Sequence, residues 1–144
     1  MKLFLDANVI YSASRSEKGA SFAIFQLKNK FKIELISSKL AMIEAERNIV
    51  EKETLLILNQ FYDFLKEISI ISVESDKAKV FYKNIIEEKD APILYGAKLS
   101  QENFLITLDK KHFFTEKIKN KKFPFKILTP GDFLYFITSN FPSR

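Results

Sequence analysis

Four carboxylates in this chain stand where alternating strand-and-helix proteins commonly do chemistry: Asp6, Glu44, Asp90 and Asp109. Asp6 follows the apolar run Leu3, Phe4, Leu5 and precedes a small residue and Asn8, so a short buried strand ends on an acid. Asp109 closes a second short strand, Phe104 to Thr107, and Asp90 precedes a helical stretch opening with Ala91 and Pro92. In an open parallel sheet the carboxyl ends of the strands face a common crevice, and ligands bind there. Glu44 comes from the helix after Ser38, where periodicity does not decide between it and Glu46. Each acid alone has an ordinary explanation: a turn for Asp6 or Asp109, a cap for Asp90, a solvated face for Glu44. Together they imply more. Carboxylates about 5 Å apart repel by roughly 3 kcal/mol per pair at an effective dielectric of 20, so a cluster of them protonates or spreads unless a divalent cation lies within it.

The rest of the composition narrows the chemistry. The chain has no cysteine, which removes thiol nucleophiles, thiolate metal sites and disulfides, and it has a single histidine, His112. A Ser-His-Asp triad or a two-histidine zinc site is a poor fit. Oxygen ligands therefore predict Mg²⁺ or Mn²⁺. His112 is expected to be structural or adjacent to substrate rather than a general acid. A dehalogenase-like phosphatase wants a second Asp two residues after the first, where this chain has Asn8. A receiver domain needs an acceptor Asp after its third strand, and Gly19, Gly96 and Gly131 have no neighbours suited to a phosphate-binding loop.

The elements that must position these acids alternate. A strand at Leu3 to Leu5 is followed by a polar stretch, Tyr11 to Gly19, expected as a loop or first helical turn, and by a helix over Ala20 to Asn29. Ile33 to Ile36 is a strand, Ser37 or Ser38 caps a helix running to Val50, Thr54 to Lys66 is helical, and Ile68 to Val73 is a β-branched strand. Ala78, Phe81, Tyr82, Ile85 and Ile86 have the strongest helical spacing, predicting a helix from Asp76 onward. Asp90 then caps a helix reaching Gln101, Phe104 to Thr107 and Phe125 to Leu128 are strands, and Thr129, Pro130 and Asp132 open a last helix. The expected fold class is α/β: a three-layer α/β/α sandwich on a mostly parallel sheet, as one domain over residues 1–144. With 47% hydrophobic and 28% charged residues the balance is globular, and no apolar run approaches the roughly 20 residues that span a bilayer. The early Asp6 also argues against a signal peptide, so a cytoplasmic location is expected.

With those residues in view, the chain resembles the PIN-domain family of metal-dependent ribonucleases. LDANV (Leu5 to Val9) is similar to the family's opening strand, and Ser38 with Glu44 six residues on, then Arg47, to its second acidic position. DAPILYGA (Asp90 to Ala97) is the most specific stretch, followed by ITLDKKHF (Ile106 to Phe113) and ILTPGDFL (Ile127 to Leu134). The resemblance implies a Rossmann-like sandwich, with Asp6, Glu44, Asp90 and Asp109 as metal ligands, and Asn8 and Thr107 as supporting residues. The implied chemistry is hydrolysis of RNA phosphodiesters by a metal-activated water. Lys110 and Lys111 stand where many members carry another acid, which leaves the second metal's ligands open. Many small members are toxins of toxin–antitoxin pairs of the VapC kind, so an antitoxin and a homodimer or higher oligomer are expected partners. The competing expectation is a PIN-like module that holds RNA or protein without cutting.

The net charge of +5 is concentrated in one place: seven lysines between Lys110 and Lys126 face a single acid, Glu116. Lys110, Lys111, Lys119, Lys121 and Lys122 are candidate RNA contacts, with Phe113, Phe114, Phe123 and Phe125 available for base stacking. The plain alternative is a solvated loop whose phenylalanines lie in the core. On the helix after Thr54, Leu55, Leu58, Tyr62 and Leu65 form a stripe suited to the core or to a dimer surface.

Overall fold

A computed structural model of the chain describes residues 1–101 and 103–140. Five strands form one sheet in the order β3-β2-β1-β4-β5, and every pairing is parallel. The strands are β1 (Lys2–Leu5), β2 (Glu34–Ser38), β3 (Ile68–Ile71), β4 (Phe104–Ile106) and β5 (Lys126–Leu128). Between them come α1 (Ala7–Arg15), α2 (Ala20–Leu27), α3 (Lys39–Lys52), α4 (Leu55–Leu65), α5 (Ser75–Phe81), α6 (Ala91–Leu99), α7 (Lys110–Phe113), α8 (Glu116–Asn120) and α9 (Pro130–Asn140). Helices cover both faces, giving the expected three-layer α/β/α sandwich: α1 packs with α2, α3 and α4, and α9 with α2, while α5 and α6 pack together, α6 reaching β2 and β4.

β1 is the centre of this arrangement. Leu3, Phe4 and Leu5 have no exposed surface, as befits a strand covered on both faces. The chain leaves β1 toward β2 and β3 on one side and later returns to β4 and β5 on the other. The order therefore reverses between β1 and β4, which is where doubly wound sheets open a ligand crevice. Gly96 lets α6 approach this strand: a Cβ there would lie 2.6 Å from the Phe4 ring.

Three local expectations are corrected. The polar stretch Tyr11 to Gly19 is not a loop at its start, because α1 begins directly after Asp6 and runs to Arg15. Its serines do not break it: Ser14 donates to the Ile10 carbonyl at 2.8 Å, while Val9, Ile10 and Ala13 provide the buried side. The helix expected to run through Ile86 stops at Phe81, and Asn84 takes a left-handed conformation (φ 67°). Ile85 and Ile86 still pack on the core, so their spacing reported burial rather than continuous helix. Asp90 occupies the N-cap of α6 with its own φ and ψ already helical, and its side chain makes no capping bond. Of Ser37 and Ser38, Ser38 caps α3, whereas buried Ser37 donates to the Leu5 carbonyl at 2.7 Å.

Candidate metal centre

The carboxyl edge of the sheet is organised around Asp6. Leaving β1, its backbone N–H donates to the Ile106 carbonyl of β4, so the acid is stitched to the neighbouring strand. Its Oδ1 accepts from the Ala7 N–H at 2.7 Å, capping α1. Its Oδ2 accepts from the Thr107 hydroxyl at 2.8 Å and from Asn8 Nδ2 at 3.2 Å. Asn8 in turn accepts the Leu108 N–H at 3.0 Å, and Thr107 Oγ1 accepts the Asp109 N–H at 3.1 Å. Asn8 and Thr107 thus fix Asp6 and the start of the β4–α7 turn in one network.

Asp6, Glu44, Asp90 and Asp109 all line one cleft of about 980 Å³. That volume is at the upper end of the roughly 300–1,000 Å³ typical of ligand sites. α3 resolves the choice its sequence left open: Glu44 faces the cleft with Asn48 and Lys52, whereas Glu46 accepts a 2.8 Å hydrogen bond from the Tyr62 hydroxyl. Arg47 is exposed on the same helix.

The acids feel one another. Burial pushes the Asp6 carboxyl up to about 7, with the charges of Glu44 and Asp90 adding to it and the Thr107 and Ala7 hydrogen bonds opposing it. Asp90 is also raised, first by burial and then by Asp109 and Glu87, against the favourable charges of His112 and Lys89. Its Oδ2 is buried and has no hydrogen-bond partner. Such an orphaned acceptor costs about 1–3 kcal/mol, and more when charged.

His112 lies beside this cluster. Its Nδ1 is 2.7 Å from Asp109 Oδ2 and 3.6 Å from Asp90 Oδ2, and its Nε2 is 3.4 Å from Glu87 Oε2. The Asp109 hydrogen bond chiefly raises the imidazole pKa, helped by the charges of Asp109, Asp90 and Glu87 and opposed by burial. Among the described residues, Glu87, Asp90 and His112 are the group whose ligand atoms all lie within 4.8 Å of one another. Glu87 was not anticipated: it lies on the non-helical turn before Asp90, which carries no periodic signal.

The cleft also carries cations. Arg15, Lys52 and Lys89 line it, while Lys110, Lys111, Lys119, Lys121 and Lys122 do not. Those five are exposed, and Lys111 borders a neighbouring cavity with His112 and Glu87. The segment's phenylalanines are not free for stacking: Phe113 and Phe125 are buried, Phe114 and Phe123 pack against the core, and Phe123 stacks on Phe125. On α4, Leu58 and Leu65 pack against the core, while Leu55 and Tyr62 are exposed.

No protein-family model matches the sequence, and no curated protein is similar to it. Solved structures are similar in shape. VapBC2 from Rickettsia felis, bound to a DNA fragment from its promoter, aligns with a TM-score of 0.67 at 16% identity, over 90% of this chain and 98% of that one. A Pyrobaculum aerophilum protein aligns with a TM-score of 0.66 at 14% identity, over 96% of both chains. A toxin–antitoxin complex from Klebsiella pneumoniae aligns with a TM-score of 0.61 at 18% identity, over 89% of this chain and 97% of that one. The chain therefore has the PIN-like α/β fold that its motifs anticipated.

Proposed function

We propose that this protein is a PIN-domain ribonuclease of the VapC kind, a divalent-cation-dependent hydrolase of RNA phosphodiester bonds. The observation that carries the proposal is the convergence of Asp6, Glu44, Asp90 and Asp109 on one cleft at the sheet's switch point. A divalent cation fits the donor set: burial raises Asp6 and Asp90, the charges of neighbouring acids add to both, and a buried Asp90 oxygen lacks any hydrogen-bond partner. Asp6, Glu44, Asp90 and Asp109 would hold it, with Mg²⁺ and Mn²⁺ suited to such oxygens. When bound, the cation supplies Lewis-acid polarisation of the phosphate and lowers the pKa of an attacking water.

The chain's own residues do the rest. Thr107 and Asn8 hold Asp6 Oδ2, and the Ala7 amide holds Oδ1, so the acid needs no rearrangement to act. Arg15, Lys52 and Lys89 place positive charge along the same cleft, where they would bind the phosphates flanking the scissile bond. Lys110 and Lys111, next to Asp109 in the chain, would extend that contact.

An antitoxin partner belongs to the same proposal. One structure of like fold is a toxin–antitoxin complex, and α4 exposes Leu55 and Leu56 to solvent. The same exposed side would serve a homodimer.

The test is incubation of purified protein with single-stranded RNA in Mg²⁺, Mn²⁺ or EDTA, beside Asp6→Asn. Cleavage that requires the cation and disappears in the variant is the expected result. Tight RNA binding with no cleavage in any metal would overturn the enzyme and leave a PIN-like binding module.

A further inference from the structure

The four-acid pattern leaves out His112, the chain's only histidine. Asp109 grips it twice: Oδ1 accepts the His112 backbone N–H at 3.1 Å, and Oδ2 lies 2.7 Å from ring Nδ1. A carboxylate so placed accepts a hydrogen bond from Nδ1–H, fixes the ring's orientation, and leaves the Nε2 lone pair as the ligand atom. That is how histidines are commonly oriented toward metals. Nε2 faces Glu87 Oε2 at 3.4 Å, and Glu87, Asp90 and His112 offer ligand atoms all within 4.8 Å. Asp90 Oδ2, 3.6 Å from His112 Nδ1, is buried and makes no hydrogen bond.

We propose that Glu87, Asp90 and His112 Nε2 form a mixed nitrogen–oxygen cation site, with Asp109 acting there as the residue that positions the imidazole. The site shares Asp90 with the acidic cleft, so it rests on the proposed cation-dependent reading while adding residues that reading does not use. Its location fits, because Asp90 and Asp109 line the cleft and Glu87 and His112 line the adjoining cavity. A neutral imidazole among carboxylates favours Mn²⁺ or Zn²⁺ over Mg²⁺, which prefers oxygen alone. Two protein elements supply it: the turn of residues 87–90, closed by the Asp90 N–H on the Glu87 carbonyl at 3.0 Å, and the first turn of α7.

Electron paramagnetic resonance of Mn²⁺ bound to the intact protein tests this directly, because a coordinated imidazole couples its ¹⁴N nucleus to the ion. The wild-type chain should show that coupling, and so should Asp6→Asn. His112→Gln should lose it and bind Mn²⁺ at least about tenfold more weakly, with Mg²⁺ affinity changed less than about threefold. Glu87→Gln should weaken Mn²⁺ binding but keep the nitrogen signal. Should His112→Gln fail to fold, the ¹⁵N shift of His112 in the wild-type chain during Zn²⁺ titration decides instead: Nε2 moves if the site exists. Mn²⁺ bound without nitrogen coupling, beside cation-dependent RNA cleavage, overturns this site and leaves the nuclease proposal standing. Nitrogen coupling without any RNA cleavage does the reverse.

Discussion

The acidic cleft and the lysine-rich segment carry opposite charge and are assembled in opposite ways. Asp6, Glu44, Asp90 and Asp109 come from four distant places in the chain and meet because the ends of β1 and β4, the start of α6 and the second turn of α3 share an edge of the sheet. The lysines from 110 to 126 are neighbours in sequence, yet they spread over α7, α8 and the turn into β5, and none lines the cleft. Two make local contacts: Lys117 donates to the Asn84 carbonyl at 3.3 Å, and Lys126 lies over the Phe136 ring. The aromatic residues between them anchor the segment to the core. Charge density along a sequence therefore says little about a site, whereas convergence in space imposes an energetic strain that something must relieve.

The burial of Asp6 at that convergence gives the largest predicted effect. Asp6 is raised from 3.8 to about 7, so between those values the folded chain binds a proton that the unfolded chain has released. Stability that is complete below about pH 4 is then lost as pH rises through 7 in the metal-free protein. Roughly three pK units correspond to about 4 kcal/mol. Asp90 and His112, both raised, act in the same direction. Denaturant unfolding of wild type and Asp6→Asn should give nearly equal stabilities at pH 4, with the variant ahead by up to about 4 kcal/mol at pH 8. Millimolar Mn²⁺ should close that gap by stabilising the wild type. A difference that does not change with pH would mean that the buried Asp6 carboxylate carries no such penalty.

How far the sequence disclosed all this depends on which periodicity is followed. Apolar runs such as Leu3 to Leu5 identified β1, α4 and β4, while a serine cap placed α3 and the alternation of strands and helices placed the parallel sheet. Apolar spacing misplaced the end of α5, since Ile85 and Ile86 are half-buried from a turn rather than from a helix. It was silent about the polar walls of the site. Glu44, Asn48 and Lys52 recur every four residues along α3, and Asn8, Ser12 and Arg15 recur similarly along α1; both sets line the cleft. That polar stripe would have separated Glu44 from Glu46 and singled out Lys52 and Arg15. Lys89 and Glu87 could not be found this way, because the turn that carries them has no period.

The contrast between the two basic regions is sharpened by removing the cleft cations. The targets are Lys52 and Lys89; Lys89 also pairs with Glu87, and Arg15 with Glu53, each at 3.9 Å. Lys52→Ala with Lys89→Ala should raise KM for RNA about tenfold, with kcat affected less, as lost backbone contacts weaken ground-state and transition-state binding alike. The dependence of log KM on log salt should flatten by about 1.4, the value for two phosphate contacts on a single strand. Unchanged KM and salt slope would take these lysines out of the substrate path.

Removing the segment's charge should do the least, although it deletes more lysines. Lys119, Lys121 and Lys122 are exposed and stand outside the cleft lining. At physiological ionic strength a charge is screened over about 8 Å, so lysines not at the cleft add little to binding there. Lys119→Ala, Lys121→Ala and Lys122→Ala combined should leave KM within about twofold and stability within about 0.5 kcal/mol per site, since exposed substitutions away from caps and cores cost little. The salt slope should be that of the wild type. A tenfold rise in KM with a flatter slope would instead run the RNA across α8, and the cleft would then hold only the bond being cut.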